Sequence, residues 1–117
     1  MTLVELVISG EPVPKGRPRV VDNRAYTPER TKAAEAKVAW SMRDAYRGAP
    51  LLGPLSVEAW FYARTARRAD IDNFGKLLLD SGNGVVWLDD AQVVDLTLHK
   101  RVDRKWPRTE LQVREAK

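Results

Sequence analysis

Residues 55–63 read Leu-Ser-Val-Glu-Ala-Trp-Phe-Tyr-Ala, and their alternation decides the fold. Successive side chains of a strand point to opposite faces, so Val57, Ala59 and Phe61 share one face and Glu58, Trp60 and Tyr62 the other. Moving outward, the basic loop Arg64-Thr65-Ala66-Arg67-Arg68-Ala69 leads to Asp72, which can cap a helix whose Phe74, Leu77 and Leu78 face the core. Ser81-Gly82-Asn83-Gly84 stops that helix, and a short Val-Val-Trp-Leu segment runs to Asp89-Asp90. Residues 92–102 alternate as a strand, with Val94, Leu96, Leu98 and Val102 on one face. Trp106-Pro107 turns the chain into a last strand, 109–114, with Thr109, Leu111 and Val113 inward.

On the N-terminal side, Gly48-Ala49-Pro50 ends a helix spanning 28–46. Thr27 reads as its N-cap and Pro28 as its first residue, and Ala34, Val38, Met42 and Ala45 form its apolar stripe. Three prolines and two glycines between Gly10 and Arg19 exclude helix or central strand there, leaving an ordered basic loop. Residues 3–9, Leu-Val-Glu-Leu-Val-Ile-Ser, read as a strand. The order is strand, helix, strand, helix, strand, strand, and the closeness of the last two predicts an antiparallel pair. The expected class is α+β: a small mixed β-sheet with two main helices packed on it, in a single domain over 1–117.

Composition narrows the chemistry. The absence of cysteine excludes thiolate metal sites, cysteine nucleophiles and disulfides. Twenty Lys and Arg against 16 Asp and Glu give a net charge of +4, which suits a polyanionic partner. Arg17, Arg19, Arg24, Arg64, Arg67 and Arg68 fall in loop-like segments, where side chains can reach a ligand. No apolar run is long enough to span a bilayer, and Met1–Gly10 does not resemble a signal peptide, so a cytoplasmic chain without membrane contact is expected. Lys15-Gly16-Arg17 lacks the Gly-Lys-Ser/Thr ending of a nucleotide-binding loop, and no small-molecule cofactor is expected. Trp40 and Trp60 read as core or interface. Trp87 and Trp106 lie near loops, where stacking on bases competes with packing as their job.

The acids are crowded into Asp70-Ile71-Asp72-Asn73-Phe74-Gly75-Lys76, followed by Asp80 and Asp89-Asp90. In extended backbone Asp70 and Asp72 would point the same way, and their mutual repulsion calls for a cation between them. The donors are oxygens, and the single histidine is His99, so Mg²⁺ or Mn²⁺ suits the set better than zinc or copper. Lys76, one turn after Asp72, would bring an ammonium to the site, with Asp80 as its ion-pair partner, and the Asp89-Asp90 turn could return a third carboxylate. Taken singly, each residue also fits a plain role: Asp72 as a cap, Lys76 and Asp80 as a solvated pair, Asp89-Asp90 as turn residues.

The string Asp70-x-Asp72-Asn73-x-x-Lys76-x-x-x-Asp80, then Asn83-Gly84, then Asp89-Asp90-x-Gln92-Val93, resembles the RusA family of Holliday junction resolvases. The segment Pro12-x-Pro14-Lys15-Gly16-Arg17-Pro18-Arg19 is similar to the N-terminal signature of many phage and prophage members. The resemblance implies a homodimeric endodeoxyribonuclease using Mg²⁺ or Mn²⁺ to make paired symmetric nicks across branched DNA, a four-way junction. It implies metal binding by Asp70, Asp72 and Asp90 and catalytic assistance from Lys76. Lys15, Arg17, Arg19, Arg67 and Arg68 are then expected on the DNA phosphates. A nuclease of the same chemistry preferring flaps or forks, and a non-enzymatic junction binder, stay open. Gly82 stands where many members carry leucine, and without that apolar side chain a looser helix end is expected.

Overall fold

The computed structural model describes residues 2–16, 19–26, 28–66 and 69–116, with only the backbone of Arg19 and Tyr26. Arg17, Thr27, Arg67 and Arg68 therefore lie outside the described residues. The chain runs β1 (Thr2–Ser9), β2 (Arg19–Val21), β3 (Arg24–Tyr26), α1 (Glu29–Ala45), β4 (Leu55–Ala63), α2 (Ile71–Gly82), a 3₁₀ turn (Asp90–Gln92), β5 (Val93–Val102) and β6 (Arg108–Glu115). The main sheet is ordered β1-β6-β4-β5, with β4 and β5 parallel and β6 antiparallel to both β1 and β4. It is a small mixed sheet with two helices, as the α+β reading expects.

Alternation builds the core. Val4, Leu6 and Ile8 of β1, Val57, Ala59 and Phe61 of β4, and Leu111 and Val113 of β6 are buried on one face. Met42 of α1 and Phe74 and Leu78 of α2 close over them. α1 begins at Glu29, with Pro28 in the capping position, and its expected stripe is buried only at Met42. The loop region from Gly10 to Tyr26 contains an unanticipated hairpin, β2–β3. Its turn residues Asp22 and Asn23 both have positive φ (50° and 62°), the geometry that matches the twist of a two-residue hairpin.

The last two strands are not neighbours, contrary to expectation. β4 lies between them, and the connection over residues 103–107 passes across its end. Asp103 shapes that connection by accepting the backbone N–H groups of Lys105 (3.0 Å) and Trp106 (3.1 Å). The displaced β5 becomes an edge strand. Leu96 and Leu98 share the helix-side face with Val57 and Ala59, yet Leu96 is 43% exposed; at the register shift before them Val93 packs on the core and Val94 is 60% exposed. Among the described residues no helix is long and apolar enough to cross a membrane.

Two glycines let α2 sit close to its neighbours. A Cβ on Gly75 would lie 2.6 Å from Leu98 Cδ1, so any larger residue would have to push the Leu98 side chain aside. A Cβ on Gly82 would lie 2.3 Å from Trp87 Cζ2. Trp87 is fully buried and donates its indole N–H to the Leu79 carbonyl at 3.1 Å. The apolar cover expected from a leucine at position 82 is supplied by Trp87, and the helix end is packed. Gly82→Ala is therefore expected to destabilise the protein by about 1–3 kcal/mol through overpacking, despite alanine's better helix propensity. Urea denaturation should show that loss shrinking in a Trp87→Leu background. Equal losses in both backgrounds would locate the clash elsewhere.

Candidate functional site

The two ends of α2 carry the acids. Asp70 occupies the N-cap with extended backbone (φ −69°, ψ 135°), and its carbonyl accepts the Asn73 N–H at 3.1 Å. Its side chain makes no capping hydrogen bond, and Asp72 lies in the first helical turn. The expectation that both point the same way from extended backbone fails at Asp72, which is already helical. Their closeness comes from sharing a helix N-terminus, where the backbone dipole favours negative charge. Both residues are exposed, and neither has an ion pair or side-chain hydrogen bond among the described residues.

Lys76 follows one turn later, exposed and without an ion pair among the described residues. The expected Lys76–Asp80 pair does not form. Asp80 instead takes the ammonium of Lys15, which also lies 3.5 Å from Glu35 Oε1. Lys15 has the advantage because its backbone is pinned to α2: its N–H donates to the Asn73 carbonyl at 2.9 Å. A lysine four residues before an acid on the same helix is also the weaker of the two pair orientations. The hydrogen bond to Asp80 raises the Lys15 pKa despite partial burial.

At the other end of α2, Asn83 Nδ2 donates to Asp90 Oδ2 at 3.2 Å. That bond pulls the Asp90 carboxyl down, but burial and the neighbouring Asp80 and Asp89 carboxylates together raise it above the usual carboxylate value. Asp89 has a structural job. Its carboxylate accepts the Ala91 N–H at 3.0 Å, while Gln92 Oε1 accepts the Asp89 N–H at 2.9 Å, completing a capping box. Gln92 Nε2 also donates to the Leu51 and Gly53 carbonyls, both at 2.9 Å, which fixes the turn presenting Asp90.

The structure thus brings Asp70 to Asp72, and Asp80 to Asp90, but sets these pairs at opposite ends of a helix about 18 Å long at 1.5 Å per residue. Among the described residues no three acidic or imidazole side chains gather closely enough to hold a metal ion. The donor chemistry, carboxylate oxygen throughout, suits a hard cation, and Mg²⁺ commonly takes one or two carboxylates with waters and phosphate.

His99 lies on the open sheet face, stacked on Trp60 with ring centroids 5.2 Å apart and 2.7 Å from Glu58 Oε2, an ordinary surface arrangement. The turn Asp103-Arg104-Lys105-Trp106-Pro107-Arg108 escapes a reading by charge, although its basic-aromatic run is a usable signal. In it, Asp103 is held below the usual carboxylate range by the Arg108 guanidinium at 2.8 Å and by backbone N–H groups.

A family model described as endodeoxyribonuclease RusA matches residues 9–114. The chain is 26% identical over 140 residues to the uncharacterized protein YqaN of Bacillus subtilis (strain 168), covering 98% of each. It is 32% identical over 84 residues to the crossover junction endodeoxyribonuclease RusA of Aquifex aeolicus (strain VF5), covering 68% of this chain and 65% of that one.

The Lys15–Asp80 contact gives a test independent of catalysis. A double-mutant cycle with Lys15→Gln and Asp80→Asn is expected to show a coupling of about 1 kcal/mol in urea unfolding, reflecting a partly buried pair. A coupling indistinguishable from zero would mean that the loop carrying Lys15 is not held to α2 through this pair.

Proposed function

Since the chain belongs to the RusA family of endodeoxyribonucleases, we propose that it resolves four-way DNA junctions by paired, metal-dependent phosphodiester hydrolysis. The observation that carries this reading is the exposed pair Asp70 and Asp72, left without cationic partners among the described residues of a chain whose net charge is +4. Mg²⁺, or Mn²⁺ in its place, would supply charge neutralisation at the scissile phosphate and lower the pKa of water. Asp70 and Asp72 would hold the ion, with Asp90 as a third ligand. Lys76, on the same helix, would meet the negative charge that develops on the phosphate. Arg17, Arg19, Arg67 and Arg68 would hold flanking phosphates, and Lys15 would serve that interface by neutralising Asp80 and Glu35. Acting on cellular DNA, the protein would work in the cytoplasm.

The proposed third ligand would come from a second copy. Asp90 lies beyond the far end of α2 from Asp70 in its own chain, which favours a site that takes its third ligand from a second copy. β5 offers the means, as an edge strand with unpaired backbone and exposed Val94 and Leu96. A two-fold axis normal to the sheet would pair β5 antiparallel with its copy and lay the two α2 helices antiparallel on one face. Lys100 Nζ donates to the Ala69 carbonyl at 2.8 Å, which ties the start of α2 to the C-terminal half of β5. Antiparallel pairing sets that end against the beginning of the other β5, where the Asp90 of the second copy lies. The homodimer would therefore complete two identical sites, one for each strand to be cut.

Complementation tests both the ligands and the dimer. Asp70→Asn, Asp72→Asn and Asp90→Asn should each abolish Mg²⁺-dependent nicking of a labelled four-way junction while retaining binding in a gel shift. Mixing Asp70→Asn with Asp90→Asn protein should restore about a quarter of the intact sites, because half the dimers are mixed and each mixed dimer has one unaltered site. No recovery after subunit exchange would mean that each site is built within one chain. Separately, Lys76→Ala should lower the single-turnover rate by tenfold or more while changing junction affinity by less than about threefold. Equal losses in rate and binding would make Lys76 a simple phosphate contact.

A further inference from the structure

At the end of the sheet where β4 stops and β6 starts, an open cleft of about 650 Å³ lies between Trp106, Pro107, Arg30, Arg64, Thr65 and Glu11. Trp106 is half in solvent, at 49% exposure, yet it is held firmly. The Arg108 guanidinium is sandwiched between it (4.3 Å to the ring centroid) and Tyr62 (3.8 Å). Arg108 is itself fixed by Asp103 at 2.8 Å and Glu110 at 2.7 Å. The indole N–H of Trp106 points to Ser9 Oγ at 3.4 Å. An indole in a packing role would be buried like Trp87; this one is braced from behind and left open in front.

The charges around it differ in the same sense. Arg108 is neutralised by two carboxylates, whereas the guanidinium groups of Arg30 and Arg64 have no carboxylate partner among the described residues. Glu11, the acid lining the cleft, is engaged in accepting the Arg64 backbone N–H at 3.0 and 3.2 Å. Arg104 and Lys105, on the same turn, are exposed. A rigid aromatic platform between uncommitted cations is what stacking on a nucleobase with flanking phosphate contacts requires.

We infer that the Trp106 cleft is a stacking subsite for a nucleobase unstacked at the DNA branch point, with Arg30 and Arg64 on its phosphates. This rests on the nuclease reading and adds a determinant of substrate choice to it. Bases inside an intact duplex are stacked on one another and cannot reach the platform, whereas a branch point supplies bases that open at small cost. The cleft lies at the same end of the sheet as the start of α2, so a base captured there leaves its strand near Asp70 and Asp72.

The test places 2-aminopurine at the branch point of a four-way junction and at the matching position of a linear duplex, and titrates each with the full-length protein in EDTA. Wild-type protein is expected to quench the branch-point probe and to bind the junction more tightly than the duplex. Trp106→Leu should lose the quenching and about tenfold or more in junction affinity, with duplex affinity changed less than about twofold, and Trp106→Phe should recover most of the loss. Arg30→Ala with Arg64→Ala should lower the log–log salt slope by about 0.9 for each phosphate that is no longer neutralised. Thermal unfolding of the Trp106 variants checks that they fold, and the arginine pair reads the same cleft without touching the indole. Quenching and affinity that survive Trp106→Leu overturn the subsite while leaving the nuclease reading standing, as does an equal loss on duplex. A wild-type protein that binds junction and duplex equally overturns both.

Discussion

The seating of α2 on the sheet is the contact on which the rest depends. Phe74 stacks on Phe61 of β4 with ring centroids 5.3 Å apart, and Gly75 lets the helix backbone close on Leu98 of β5. Trp87 locks the far end against Gly82. The residues that hold this helix down alternate with those that bear its charge: Phe74, Leu77 and Leu78 are buried, while Asp72 and Lys76 are exposed. Helical periodicity therefore does two jobs. It secures the helix by apolar burial, and it presents acids and a lysine along the opposite side. The exposed groups have no part in the core, so their charges face outward.

Much of this was legible because it is local. The period of two in 55–63 and 109–114, and the helical spacing of Phe74, Leu77 and Leu78, follow from covalent geometry and appear in the structure with nearly the expected bounds. What could not be read was pairing. Nothing in residues 92–114 states that β6 will insert between β1 and β4 in place of joining β5, because strand partners are chosen by contacts across the whole chain. The inner places go to β6 and β4, and the burial of β4 alternates without interruption along nine residues. The β2–β3 hairpin is hidden for a different reason: prolines dominate the segment before it, although Asp22-Asn23 is good turn chemistry.

The candidate site was legible in composition and not in arrangement. Asp70, Asp72, Lys76 and Asp90 stand out by spacing, yet spacing could not show that Asp90 lies at the far end of α2 from the other two. It also misassigned Asp80. Helical periodicity offers Lys76 as its partner, and only the tertiary contact between the 12–16 loop and Asn73 brings Lys15 there. Glycine at 82 is a similar case. Read along the chain it is a missing side chain; in the fold it is the space that Trp87 occupies.

These features bear on why a basic chain tolerates so many acids along one helix. Against the Asn83 hydrogen bond, burial and the Asp80 and Asp89 carboxylates raise the Asp90 pKa, and Asp80 and Glu35 would likewise repel any nearby phosphate if left alone. Lys15 relieves that repulsion at Asp80 and Glu35 from inside the fold, where the ammonium is partly shielded from salt. No such group reaches Asp70 and Asp72 among the described residues. Among the described residues, then, Lys15 neutralises Asp80 and Glu35, while Asp70 and Asp72 have the helix dipole, which supplies only about half a charge. In the proposed function a divalent cation would offset the carboxylate charge where the phosphate backbone approaches. If Asp70 and Asp72 hold the ion as proposed, binding of the ion and of the DNA would each favour the other.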